Sequence, residues 1–170
     1  MIKRLRKAGA RVARLVATGF VPSIVYGSSV VGMRPNEIRI ARAIAHGAIQ
    51  EHTRGRSVDL DFALEADGAD PAFRATVNVV LHWKAALLDR WVPRARLLRA
   101  MLRAMANAEA SPCPFAVVFG PASGVVAAVS RFGWKFVAAI SINTHVGRIS
   151  LDDVTMGELK TLCREGMERW

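Results

Sequence analysis

Prolines divide this chain into short segments, and they constrain its fold more than any other feature of the sequence. Proline lacks an amide hydrogen and fits a helix only in its first turn, so each one begins or ends an element. The residues at or just before the expected start of a helical run are Pro22, Pro35, Pro71, Pro93 and Pro121. The spacing predicts several short helices rather than a few long ones.

Apolar periodicity between the prolines predicts a mainly α-helical fold of about six helices with one small C-terminal β-hairpin. The expected helices cover 2–17, 22–31, 35–50, 71–91, 94–109 and 121–132, before a last helix capped by Asp153 or Thr155. Gly19 is the expected end of the first helix. Residues 51–70 form a connection that holds either a brief strand or the edge of a helix.

The hairpin signal lies near the C-terminus. Residues 139–144 alternate between apolar and polar types, Ile149 and Leu151 alternate in turn, and 145–148 supply the turn between them. We expect residues 1–110 to form a helical region. Residues 111–170 are expected to add a helix, the hairpin and the last helix, packed as one unit with the first region.

Two uncharged stretches have the length of a membrane span, which is about 20 residues. The stretches Leu15–Met33 and Ala110–Ser130 are both interrupted by several glycines and prolines. Such interruptions are typical of short buried helices and loops, so we expect no membrane-spanning segment.

The charge indicates an anionic partner. The chain holds 24 basic and 14 acidic residues, a net charge of +10. Residues 1–56 hold 11 basic and 2 acidic residues, so the excess is centred on the N-terminal third. A strongly basic surface attracts polyanions such as nucleic acid.

Two sets of basic residues are the candidate contacts for nucleic acid. They are Lys3, Lys7, Arg11 and Arg14 on the first helix, and Arg96, Arg99 and Arg103 at helical spacing on the fifth. Either set is a solvated helix face or a phosphate-contacting face. A third interpretation of the first set is an organelle-targeting peptide, which is typically rich in arginine and poor in acidic residues.

No constellation of reactive residues points to catalysis. The four histidines lack metal-ligand spacing, and two cysteines are too few for a zinc site, which needs about four ligands. The stretch Gly120–Gly124 lacks the Gly-Lys-Ser/Thr ending of a phosphate-binding loop. Asp152 and Asp153 are interpreted as helix-capping acids. The sequence therefore predicts no catalytic residue, no metal and no cofactor.

One pattern resembles a known family. The block from Pro22 to Gly27, Pro-x-x-x-Tyr-Gly, is followed by Arg54–Ser57, Gly120–Gly124 and Phe132–Trp134. This series resembles the thumb and connector region that follows the polymerase domain in non-LTR retrotransposon reverse transcriptases. Ser29 stands where an acidic residue is common in that family. The family's palm domain would precede this region, and its RNase H domain would follow it.

The resemblance implies a thumb-like helical region without polymerase or RNase H activity. Its implied function is non-catalytic binding to the phosphate backbone of an RNA or RNA–DNA duplex, with low sequence specificity. Separately, Cys113 and Cys163 form no disulfide framework, so we expect a reducing, intracellular location in the nucleus or cytoplasm. Targeting to an organelle stays open. The alternative is a helical structural or protein-interaction domain whose basic surface has no role with nucleic acid.

Overall fold

The computed structural model describes residues 12–50, 55, 57–65, 69–90 and 92–168. The helices and strands are α1 (Val12–Leu15), a π-helical turn (Val16–Phe20), α2 (Val21–Ile24), α3 (Ser28–Val31), α4 (Pro35–Ile49), α5 (Val58–Glu65), α6 (Pro71–Asp89), α7 (Arg94–Glu109), a 3-10 turn (Pro114–Val117), α8 (Pro121–Ser130), β1 (Lys135–Ala138), β2 (Ser141–Thr144), β3 (Gly147–Ser150) and α9 (Met156–Glu168).

The prediction of a mainly helical fold with a small C-terminal sheet is confirmed. The chain divides into two compact units. Unit 1 comprises Met1–Tyr26 and Met33–Ala75, and unit 2 comprises Gly27–Gly32 and Thr76–Trp170. The expectation of a 1–110 region and a 111–170 region stays a prediction.

In unit 1, the helical run from α1 to α2 contacts α4. Val21 and Ala45 are fully buried there. The expected end at Gly19 is wrong, because the chain passes through Gly19 in the π-helical turn and continues helically to Ile24. The apolar residues on both sides of Gly19, among them Val16 and Val21, are buried. Their packing favours a continuous helix, although a glycine at this position is by itself a signal for a helix end.

The described part of residues 51–70 contains a helix rather than a strand. Over Val58–Glu65 the chain forms α5, with Asp59 and Asp61 in its first turn. Acidic residues there interact favourably with the positive end of the helix dipole. Of the two alternatives that the sequence left open, the structure therefore contains the helical one.

In unit 2, the core is formed by α6 from Thr76 onward, α7, α8, the sheet and α9. Val80, Met101, Ile142 and Leu159 are fully buried. At Gly166 a side chain would be crowded, because an added Cβ would lie 3.0 Å from Cζ2 of Trp134 and 3.2 Å from Cδ1 of Phe132. This glycine lets α9 approach the two aromatic rings closely.

The sheet is an antiparallel meander in the order β1-β2-β3. Ile142 pairs with both Phe136 and Ile149, so the three strands bring apolar residues side by side. The predicted hairpin corresponds to β2 and β3. The sequence pattern did not identify β1, whose four residues pair with β2 through a register irregularity between Phe136 and Ala138.

Candidate nucleic-acid interface

The two faces of α7 differ sharply in burial. The helix begins directly after Pro93 and is composed largely of alanine, leucine, arginine and methionine, which all favour helix. Leu97, Met101 and Ala104 are buried. An apolar stripe at this spacing fixes the helix against the core of unit 2 and leaves the opposite face in solvent.

The opposite face holds the three predicted arginines. Arg96, Arg99 and Arg103 are all exposed, and we call them the arginine ridge. At 1.5 Å of rise per residue, the ridge extends about 10 Å along the helix axis. Guanidinium groups bind phosphate through paired hydrogen bonds, so a row of exposed arginines suits a polyphosphate strand.

Within the described residues, no carboxylate lies in ion-pair contact with the arginine ridge. Four carboxylates of unit 2 contact other groups instead. The pairs are Asp152 with Arg94, Glu109 with Lys135 at 3.0 Å, Glu165 with His145 at 3.2 Å, and Glu158 with the backbone N–H of Thr155 at 2.7 Å. The ridge therefore keeps its charge available to an external anion.

The first predicted set is described at a single position. Lys3, Lys7 and Arg11 lie outside the described residues. Arg14 is exposed on α1, and its backbone carbonyl accepts a hydrogen bond of 2.8 Å from the Thr18 hydroxyl. That contact does not use the guanidinium group, so the Arg14 side chain stays a candidate contact in unit 1.

Two basic residues of unit 2, Lys84 and Arg131, are buried and add nothing to an exposed positive surface. Lys84 is 2% exposed, and its Nζ donates to the Leu151 carbonyl at 2.6 Å. The buried Arg131 lies over the Phe115 ring at 4.1 Å and donates to the Thr76 hydroxyl. Lys84 continues the buried helical spacing of Val77 and Val80, and that spacing could have identified it as internal.

A third basic residue with partners inside the protein is Arg42 in unit 1, whose side chain is 20% exposed. Its guanidinium donates to Asp59 at 2.6 Å and to Asp70 at 3.1 Å, and it lies 5.4 Å from the centre of the Phe62 ring. Burial acts to lower the pKa of Arg42, but Asp70 and Asp59 outweigh it and the pKa is raised. Burial raises the pKa of Asp70, although Arg42 and the Ala72 N–H partly oppose that change.

Beside Arg42 lies a second buried polar contact. His46 Nε2 lies 2.6 Å from the Asp61 carboxylate, and both side chains are at most 6% exposed. The contact joins α4 to α5 in the interior of unit 1. With the contact between Arg42 and Asp59, it links α4 to α5 through polar side chains.

The described residues offer no other reactive centre. They contain no group of three or more histidine, cysteine, aspartate or glutamate side chains that could hold a metal ion. Burial raises the pKa of the Cys163 thiol to about 12, so this thiol stays protonated. Among the described helices, none is both long and apolar enough to cross a membrane.

Comparisons of the sequence and the structure with known proteins found no matching family model, curated protein or solved structure. The resemblance to the reverse transcriptase thumb and connector therefore stays a prediction. The functional argument depends on the exposed arginines of α7.

Proposed function

We propose that the protein is a non-catalytic, retroelement-derived nucleic-acid-binding domain that contacts the phosphate backbone of an RNA or RNA–DNA duplex. The observation that supports this function is the arginine ridge, which is exposed and has no carboxylate partner among the described residues. The retroelement origin depends on the sequence resemblance alone.

The dimensions of the ridge suit a nucleic-acid strand. The ridge presents three guanidinium groups along about 10 Å of one helix face, so its arginines can contact neighbouring phosphates of one strand. Contacts from one helix face to phosphate carry no base information, so binding has low sequence specificity. Each contact also releases a counterion, which makes the affinity depend on salt.

The direct test changes Arg96, Arg99 and Arg103 together to alanine. Binding to a labelled RNA–DNA hybrid is measured by fluorescence anisotropy between about 50 and 200 mM salt. Three lost contacts should reduce the slope of log K against log salt by about 2.7, at about 0.9 per phosphate. Affinity should fall to a similar degree for unrelated sequences.

A matched pair of double variants locates the contact. R99A/R103A and R148A/K160A each remove two exposed positive charges from unit 2. We expect the first pair to reduce the salt slope by about 1.8 and the second to change it much less. Equal effects would show that net charge matters and the ridge does not. Absence of binding by the unaltered protein at the lowest salt would contradict the proposed function.

A second candidate function is a protein-interaction domain. Phe119 in the loop before α8 is 86% exposed, and Val31 at the end of α3 is 65% exposed. The two segments are neighbours, because an added Cβ at Gly32 would lie 3.6 Å from Cγ1 of Val118. Contiguous exposed apolar patches mark protein-interaction sites. In a co-purification experiment, a stoichiometric protein partner that is lost on F119S and kept on R99A/R103A would favour this candidate over the first.

A further inference from the structure

Unit 2 contains a cavity that the proposed function does not use. Its volume is about 330 Å³, and it lies where the C-terminal turns of α7 and α8 meet β1. Met105, Val129 and Phe136 are among its apolar lining residues. Ligand sites in proteins typically have volumes of about 300 to 1,000 Å³ and mostly apolar walls with few polar groups.

The polar surroundings of the cavity favour a cation. Glu109, a lining residue, carries a carboxylate whose present partner is Lys135, another lining residue. The C-terminal ends of α7 and α8 both contribute lining residues, and helix C-termini carry partial negative charge.

We propose that this cavity binds a small hydrophobic primary amine, with its apolar body among the lining side chains and its ammonium group on Glu109. In the unliganded protein Lys135 holds that position on the carboxylate. Both charged side chains are more than half exposed, at 69% for Lys135 and 60% for Glu109, so Lys135 can move aside without unfolding.

The cavity and the arginine ridge lie on different faces of α7. At about 100° per residue, Met105 lies about 200° around the helix from Arg103. An amine in the cavity therefore does not compete with nucleic acid on the ridge, and the proposal does not rest on the proposed function. Each can fail without the other.

The test uses octylamine, octanol and octanoate, which share one apolar chain and differ in the head group. Binding to the full chain is measured by calorimetry, and its location by amide and indole NMR shifts. We expect octylamine to bind most tightly, octanol next and octanoate least, with shifts at residues 105–109 and 129–136. Octanoate binding as tight as octylamine, or shifts confined to other regions, would overturn the proposal.

Two variants of the exposed pair should act in opposite directions. E109Q removes the carboxylate. It should lower the affinity for octylamine by about threefold or more and leave the affinity for octanol unchanged. K135A removes the competing ammonium group and should raise the affinity for octylamine by about threefold. Changes of the same sign in both variants would contradict the assignment of the head group.

A filling variant tests the cavity itself. Ala108 lines the cavity, and A108L should weaken octylamine and octanol alike by about tenfold or more by occupying the apolar space. The matched control is A106L, the same change at an exposed position of the same turn. Loss of binding in both variants, or in neither, would overturn the proposal. If A108L fails to fold, the opposite effects expected for E109Q and K135A still test the proposed amine site.

Discussion

Arg42 in unit 1 and the arginine ridge in unit 2 show two different surroundings for an arginine side chain. In unit 1 the Arg42 side chain is 20% exposed and contacts two carboxylates. In unit 2 the arginine ridge lies in solvent, and four carboxylates contact other groups. A net positive charge therefore does not by itself identify a binding surface. What matters is which arginines keep no carboxylate within reach, and that depends on the folded arrangement.

The largest expected effect is the loss of stability on changing Arg42 to methionine. The variant keeps much of the side-chain volume but leaves Asp70, which is 17% exposed, without its guanidinium partner. Removing one partner of a largely buried ion pair leaves the other charge uncompensated, so we expect the free energy of unfolding to fall by about 2 to 3 kcal/mol. Chemical denaturation checks this value.

The same substitution on the ridge is the matched control. R99M should change the free energy of unfolding by no more than about 0.5 kcal/mol, because the exposed side chain lacks a described carboxylate partner. Equal destabilisation by R42M and R99M would break the distinction between structural and available arginines.

The helices were predictable because their signals are local. Pro35 and Pro71 begin α4 and α6 as expected, and the buried positions of α7 follow its apolar spacing. The strand β1 was not predictable, since four residues with no clear pattern become a strand only by pairing with β2. The π-helical turn at Gly19 likewise contradicts the local signal for a helix end.

The candidate site was predictable in part. Helical spacing alone placed the three ridge arginines on one face of α7. Spacing could not reveal which arginines have partners, because those partners are distant in sequence. Arg94 and Asp152 are 58 positions apart, and Arg42 and Asp70 are 28 apart. The difference between Arg94 and its neighbour Arg96 thus exists only in the folded chain.

The second-largest expected effect on stability is the loss of the cap at the start of α9, which holds the Glu158 carboxylate away from the ridge. At the start of α9, the Thr155 hydroxyl accepts the Glu158 N–H at 3.2 Å, and Glu158 accepts the Thr155 N–H at 2.7 Å. T155A removes the hydroxyl and should lower the free energy of unfolding by about 1 kcal/mol. It should also raise the pKa of Glu158 towards its ordinary value, as NMR titration can measure.

The pH dependence of the free energy of unfolding provides a control for the role of Glu158 in this cap. The bonds from the Thr155 backbone and hydroxyl lower the pKa of Glu158 below 4.5. Its contribution to stability is therefore present above pH 4.5 and lost as the pH falls through the lowered value. E158Q should lack this part of the acid dependence and keep the cap. An unchanged acid profile would show that Glu158 is not held there.

The smallest expected change in stability comes from giving the ridge a carboxylate of its own. Ala100 is exposed and lies one helical turn from both Arg96 and Arg103, so A100E creates in unit 2 the pairing that Arg42 has in unit 1. The new pairs should raise the free energy of unfolding by about 0.3 to 0.5 kcal/mol. They should also reduce the salt slope for hybrid binding by about 0.9 or more, because an internal anion replaces a phosphate contact.

A100Q, similar in length but uncharged, should leave that slope unchanged. A protein stabilised by A100E that binds with an unaltered salt slope would show that nucleic acid is held by a surface other than the ridge.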